Sequence, residues 1–485
     1  MIKVLKPLNI LLIALIVLSC KNQDTNVTSV SEDATLEANV KPDFEDPWKR
    51  ADEIVKSITV PEFPDKVFNI VDYGASANGE TNSSDAFAKA IEACAEAGGG
   101  KVLVPAGVYL TGPIHLKSNV NLHLEEGAEV KFSTNKQDYL PVVHTSFEGM
   151  ELMNYSPLIY AYQQNNIAVT GKGTFNGQAG NNNWWPWKGQ EQYGYKEGDV
   201  NQQDEHNLPR LSEMVEKGTP VAERVFGEGH QFRPTFFEPF ECENVLIEGV
   251  TFVNAPFWVM HPIKSNNVTV KDVNVISHGP NNDGCNPEYS KNVHITGCMF
   301  DTGDDCIAIK SGRDNDGRRV GISSENIVVE NCIMKDGHGG VVMGSEISGG
   351  VRNVFVRDCE MNSPNLDRAI RIKTNTRRGG VIENIFVKDL KVGQVKEAVL
   401  KINTHYGIYA NQEGEHIPVI RNILLENVEV ENGGEYGLLI KGREEAPVSN
   451  VKLKDVVIKK TEVPMEIENC EPIIFVNTTI NGKQY

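Results

Sequence analysis

From Asn244 onward the chain repeats one pattern of apolar and polar positions. Eight segments share it, opening at Asn244, Asn267, Asn292, Asn326, Asn353, Asn384, Asn422 and Asn450. Offsets one, three, six and eight from each Asn are apolar, Cys or Met. In the first copy these are Val245, Ile247, Val250 and Phe252; in the last, Val451, Leu453, Val456 and Ile458. Alternation at offsets one and three marks a strand with one buried face. Offset five is always Gly, Asp or Asn (Gly249, Asp272, Gly297, Asn331, Asp358, Asp389, Asn427, Asp455), residues that suit a turn. The phase then shifts, so that offsets six and eight face inward again beyond the bend. Weaker copies open at Asn119 and Asn166.

The copies recur at intervals characteristic of solenoids. A chance pattern in a β-sandwich would not keep one register through eight copies. The pattern predicts an all-β fold, a single-stranded right-handed parallel β-helix with coils about 4.8 Å apart. The leading Asn residues should form a side-chain ladder along one turn. The same register places Cys298, Cys332 and Cys359 at offset six, as small core residues of one inner stack. A disulfide between stacked coils is sterically conceivable there.

The open N-terminal end of such a stack needs a cover. Ser84-Asp85 followed by Phe87, Ala90, Ile91 and Cys94 has helical spacing and a capping residue, and Gly98-Gly99-Gly100 ends the run. A short capping helix is expected there, with Ser84 as its cap. Further upstream, Lys3 and Lys6 precede the apolar run Leu8 to Leu18, too short to span a bilayer. The run ends in Val17-Leu18-Ser19-Cys20, which resembles a bacterial lipobox with Cys20 as the lipidated residue. Three regions are expected: a lipoprotein signal peptide at 1–20, a polar tether at 21–64, and a catalytic β-helix at 65–485. The protein would cross the inner membrane and stay lipid-anchored, in the periplasm, in the outer membrane or at the cell surface.

Charge narrows the possible partners. The 485 residues carry a formal net charge of −19, which disfavours nucleic acid, whose binding relies on Lys and Arg neutralising phosphates. An acidic polymer would need a local basic patch.

The second strand of each central coil, as the pattern counts them, supplies the candidate chemistry. Asp283-Gly284-Cys285, Asp305-Cys306-Ile307, Gly339-Gly340-Val341 and Arg368-Ala369-Ile370 align over four consecutive coils. Asp283 then lies beside Asp305, and Asp304 beside His338, with Arg371 and Lys373 one coil further. Singly, an Asp at a strand end is a turn residue and Gly-His-Gly a plain turn. Together, three carboxylates on one face repel one another and should raise at least one pKa. Folding gains nothing from that, so the cluster reads as functional.

In these residues the chain resembles glycoside hydrolase family 28, the polygalacturonases, over roughly Val67 to Tyr485. The marks are Asn281-Asn282-Asp283, Gly303-Asp304-Asp305, Gly337-His338-Gly339 and Arg371-Ile372-Lys373, in that order. Asn282 stands where Thr is common, and Gly303 where Gln is common. The resemblance implies hydrolysis of α-1,4-galacturonosidic bonds in pectic polygalacturonate, with inversion at the anomeric carbon. It implies Asp304 as general acid, Asp283 and Asp305 as activators of the attacking water, and His338 as support for the acid's protonation. Arg371 and Lys373 would bind the substrate carboxylate, a group that Arg can hold bidentately. Asn281, Lys310, His261 and Arg368 are further candidate substrate contacts; for His261 a satisfied turn histidine is the competing reading. Lys310, Arg313, Arg318, Arg319, Arg368, Arg377 and Arg378 would together form the basic patch. Carboxylates about 5 Å apart suggest retention by the usual separation rule, so inversion stands on the resemblance.

A long insertion, from Asn183-Trp184-Trp185-Pro186-Trp187 to Phe237, reads either as a wall over one end of the cleft with Trp stacking on sugar, or as a loop pinned by its aromatics. A closed end would make the enzyme exo-acting. Glu346 and Tyr406 are loop candidates. No cofactor signature is present, and acid–base hydrolysis requires no metal. The expected partner is a pectic polysaccharide or oligogalacturonide; rhamnogalacturonan and xylogalacturonan are the alternative substrates. Two rival classes are a Ca²⁺-dependent pectate lyase, using the aspartates as ligands, and a non-catalytic glycan-binding solenoid.

Overall fold

The structure is a computed structural model that describes residues 46–407 and 413–485. The expected signal peptide, its Cys20 and the tether up to residue 45 lie outside the described residues.

The repeat folds as its pattern predicts. Offset-one residues stand beside one another in parallel register from coil to coil: Val245, Val268, Val293, Ile327, Val354, Ile385, Ile423 and Val451. Offset-eight residues do the same on the second strand, from Phe252 to Ile458. The residues at all four apolar offsets are buried and form one continuous core. Cys298, Cys332 and Cys359 sit in that core as free thiols.

Both turn positions have a stereochemical reason. Every leading Asn is left-handed, as at Asn244 (φ 56°) and Asn422 (φ 63°), and so is every offset-five residue, as at Gly249 (φ 78°) and Asp455 (φ 54°). Asn and Asp tolerate this region better than other side chains, and Gly does so freely. The Asn side chains form the expected ladder: Asn326 Nδ2 donates to Asn292 (3.1 Å), Asn353 to Asn326 (3.1 Å), Asn384 to Asn353 (2.9 Å) and Asn422 to Asn384 (3.0 Å). One rung differs, where Asn292 donates to Asn266 at 2.8 Å.

A third strand completes each central coil and builds the functional face. Bridges join Phe237, Met260, Cys285 and Ile307 in turn. The column continues as a six-stranded parallel sheet, Ile307–Ile309, Val341–Gly344, Arg368–Lys373, Ala398–Asn403, Tyr436–Lys441 and Val463–Glu468.

Two helices cover the stack. Helix α1, Pro47–Ser57, is N-capped by Asp46, whose carboxylate accepts from Lys49 N–H. It falls inside the stretch expected to be a tether, which is thereby shortened. Its Ala51 and Ile54 pack on Val328, Phe355, Phe386 and Leu424. These four occupy offset two, an outward position, so α1 covers an apolar stripe that would otherwise meet water. Helix α2, Ser84–Glu96, is the predicted capping helix and buries Ala86, Phe87, Ala90, Ile91 and Cys94 against the first coils. Its cap differs from expectation: Ser83 is the N-cap residue, and Ser84 N–H donates instead to Asn82 Oδ1 at 2.9 Å.

Candidate active site

The third-strand register brings the predicted residues together. Cys285 pairs with Ile307, Ile307 with Val341, and Val341 with Ile370. Asp283 therefore stands one coil from Asp305, and His338 one coil from Asp304. Arg371 and Lys373 follow in the next coil. All six line one cleft of about 670 Å³, together with Asn281, Lys310, Glu346, Arg368 and Tyr406.

The contacts assign each carboxylate a distinct environment. Asp304 Oδ1 accepts from its neighbour's amide, Asp305 N–H, at 2.9 Å and lies 2.9 Å from His338 Nδ1. Its Oδ2 accepts no bond among the described residues. Asp305 is held by Lys373 Nζ at 2.7 Å and by Arg371 Nη1 at 3.5 Å. Asp283 accepts from Asn286 Nδ2 at 2.7 Å and lies 3.3 Å from Lys310 Nζ, which also bonds Glu346 at 3.0 Å. Tyr406 lies under the cations, its ring 5.5 Å from both the Arg371 guanidinium and the Lys373 ammonium.

These environments separate the proton affinities. Burial pushes Asp283 up to about 7, against the pull of Lys310, and the charges of Asp304 and Asp305 add to the rise. Burial works to raise Asp304 too. There the charge and hydrogen bond of His338, with Lys373 and Lys310 behind them, hold the carboxyl well below the usual range. The Asp304 carboxylate in turn pushes His338 up to about 9. In the resting site the proton of this pair therefore sits on the imidazole. Burial, helped by Arg371, lowers Lys373.

Glycine sets the close approach. A Cβ on Gly339 would lie 2.5 Å from Val342 Cγ2 and 3.3 Å from Asp305 Oδ1. The two departures from the common motif also have local causes. A Cβ on Gly303 would meet Gly279 O at 2.5 Å, leaving no space for a longer side chain. Asn282 is buried and ties the turn together, accepting from Ser277 Oγ (2.6 Å) and Gly279 N–H (2.8 Å).

Other expectations change. His261 is fully buried and does not line the cleft; its Nε2 lies 2.7 Å from Glu288 Oε2. It packs edge-on against Trp258, whose ring does line the cleft. Its Nδ1 lies 3.6 Å from Glu238 Oε2, so His261 sits behind the cleft floor between two buried glutamates, which fits the competing reading of a histidine turned away from substrate. The basic patch contracts to Lys310, Arg313, Arg368 and Arg378. Arg318 bonds Asn315 and the carbonyls of Arg377 and Arg378, Arg319 pairs with Asp316, and Arg377 pairs with Asp314. Arg368 itself is tied to Asp367 and Glu397 at the cleft rim.

The insertion is both a wall and pinned. Trp184 is buried in the core, Trp185 Nε1 donates to Ala255 O at 2.9 Å, and Trp187 packs beside them. None of the three lines the cleft, so Trp stacking on sugar is not their role. The insertion instead presents Lys188, Gln190, Gln192, Tyr193 and Gln203 to the cleft, on the side of Asp283. A hairpin, Val143–Phe147 with Met150–Asn154, adds Glu148 from its turn, 2.9 Å from Arg313. Lys188, Glu148 and Trp258 were not singled out as cleft residues from sequence; they come from turns whose packing partners are far away in the chain.

Comparison with known proteins agrees with this geometry. The sequence model described as glycosyl hydrolases family 28 matches residues 222–479, and one described as rhamnogalacturonase A/epimerase, pectate lyase-like, matches residues 67–140. A hyperthermoactive exopolygalacturonase from Thermotoga maritima is 46% identical, with a TM-score of 0.82, over 88% of this chain and 96% of that one. A "Probable polygalacturonase" of Vitis vinifera is 27% identical over 84% of this chain and 77% of its own length. The exo-poly-alpha-D-galacturonosidase of Dickeya chrysanthemi is 26% identical over 78% of this chain and 64% of its own length.

Proposed function

The chain belongs to glycosyl hydrolase family 28, and on that footing we propose that it hydrolyses polygalacturonate from the chain end by an inverting acid–base mechanism. One observation carries the reading: an Asp–His pair, two further aspartates and an Arg–Lys pair converge in one cleft that is walled on one side.

The roles follow from the contacts. Among the described residues Arg371 has one ion-pair contact, a long one to Asp305, and so keeps donors for a uronate carboxylate. When that carboxylate meets Arg371 and Lys373, it offsets part of the field that keeps Asp304 ionised. The proton can then cross the 2.9 Å bond from His338 Nδ1 to Asp304 Oδ1, and the neutral carboxyl so formed turns that O–H to the glycosidic oxygen and protonates it. Asp283, with its raised pKa, is suited to take a proton from the attacking water, and Asp305, fixed by Lys373, orients that water. A Ca²⁺-dependent lyase fits less well. Each aspartate is already paired with a protein cation, which takes the place a metal would need.

Chain-end action is checked by viscometry of polygalacturonate against reducing-end release. Monomer release with viscosity nearly unchanged is expected; early thinning would mean internal cleavage. Membrane attachment through Cys20 is a separate proposal, resting on the Leu18-Ser19-Cys20 sequence after an apolar run. It predicts that the protein sediments with membranes and that Cys20→Ala releases it; a soluble wild type would contradict it.

A further inference from the structure

Seven cationic side chains line the cleft: Lys188, Lys310, Arg313, Arg368, Arg371, Lys373 and Arg378. Six of them are paired with carboxylates. Lys310 has Asp283 and Glu346, Arg313 has Glu148, Arg368 has Asp367, Arg371 and Lys373 share Asp305, and Arg378 has Asp314. Lys188 differs. No carboxylate among the described residues comes within 4.0 Å of its ammonium, and its one hydrogen bond is to a neutral acceptor, Asn281 Oδ1, at 2.8 Å.

This lysine is held rigidly. It ends the short turn Trp185–Lys188, whose tryptophans are sunk in the core or bonded to it. Gln202 N–H donates to Trp187 O at 2.8 Å and ties the turn to the rest of the insertion. Asn281 is gripped from the other side by Arg233 Nη2 at 2.9 Å. Glu148, Asp304 and Asp283 act on this ammonium only from beyond contact distance. Held this firmly in a half-buried site with no carboxylate in contact among the described residues, it is a poor arrangement for stability and a good one for an anion that arrives later.

Its position along the stack says which anion. Lys188 is anchored at the coil of Asp283, while Arg371 and Lys373 lie three coils further on, about 14 Å at ordinary strand spacing. Asp304 and Asp305 stand in the coil between, and the Arg371 and Lys373 head groups reach back to Asp305. A polyuronate threaded along the cleft carries a carboxylate on every sugar, so one cation group can meet it on each side of the bond to be cut. We propose that Lys188 binds the carboxylate of the terminal galacturonate at the walled end, and so makes the insertion a recognition element as well as a barrier. The inference rests on the chain-end reading given above, and makes Lys188 a specificity-determining residue for the same reaction.

The test compares two trimers: trigalacturonate, and its analogue with galactose in place of galacturonate at the non-reducing end. Release of the terminal sugar is followed for wild type, Lys188→Met and Lys188→Arg. The readout is the ratio of kcat/KM for the two trimers, which does not depend on how much of a variant folds. Wild type should favour trigalacturonate by roughly 10- to 100-fold, as expected for one charge-assisted contact. Lys188→Met should reduce that preference to a few-fold, and Lys188→Arg should keep most of it. A Lys188→Met enzyme that retains the wild-type preference would overturn the proposal. Failure of the chain-end reading itself would show separately, as wild-type cleavage at the internal bonds of polygalacturonate.

Discussion

At the scale of single residues, the site works by giving three neighbouring aspartates different partners. Asp304 has an imidazole, Asp305 an ammonium and a guanidinium, and Asp283 an amide and a more distant lysine. The convergence of these residues was legible in the sequence, because the strand register alone aligns them. The distribution of protons was not, since it depends on burial and on contacts between coils. It yields a pH profile. Asp283 must lose its proton to act as base, so kcat/KM should rise as pH approaches about 7. The acid needs the proton stored on His338, so kcat/KM should fall as pH approaches about 9. The limbs report the coupled cluster rather than isolated groups. In His338→Gln the proton must sit on Asp304 itself, a weaker base than the imidazole, so the basic limb should move to lower pH. A pH profile of kcat/KM for both enzymes checks this; an unmoved basic limb would remove His338 from the acid's proton inventory.

At the scale of elements, regular features were easy to read and compensating ones were not. The Asn ladder, the bend at offset five and helix α2 follow from local pattern. Helix α1 was missed because Asp46 to Ser57 is polar overall, and its meaning lies elsewhere in the chain. Offset two is Leu246, Thr269, His294 and Lys452 in the other four coils but runs apolar without a break through Val328, Phe355, Phe386 and Leu424, the four that α1 covers. That switch on an outward-facing position was the available signal. Ile54→Asp should therefore unseat α1 and destabilise the protein by about 2–4 kcal/mol, through lost burial and an unpaired buried charge. Denaturant unfolding measures it; a change below about 0.5 kcal/mol would mean that α1 merely rests on the sheet. His261 was misplaced for a related reason. Its neighbours in sequence suggest a cleft residue, but the buried Glu288 that bonds its Nε2 comes from the next coil.

At the scale of the whole molecule, an acidic chain handles an acidic polymer by concentrating cations where the polymer lies. The net charge is −19, yet the cleft gathers seven Lys and Arg side chains against six carboxylates, plus His338. The wall then limits access to one end. The insertion's presence was readable from its composition, but whether its tryptophans faced sugar or core required the packing itself.

The central claim, hydrolysis with Asp304 as the acid, is tested most directly by product analysis on de-esterified polygalacturonate, comparing wild type with Asp304→Asn and following the first product by NMR. The account predicts saturated galacturonate from wild type, released with inverted configuration, and a rate lower by about two orders of magnitude or more in the variant. Unsaturated, UV-absorbing products, or an Asp304→Asn enzyme that keeps wild-type activity, would contradict it.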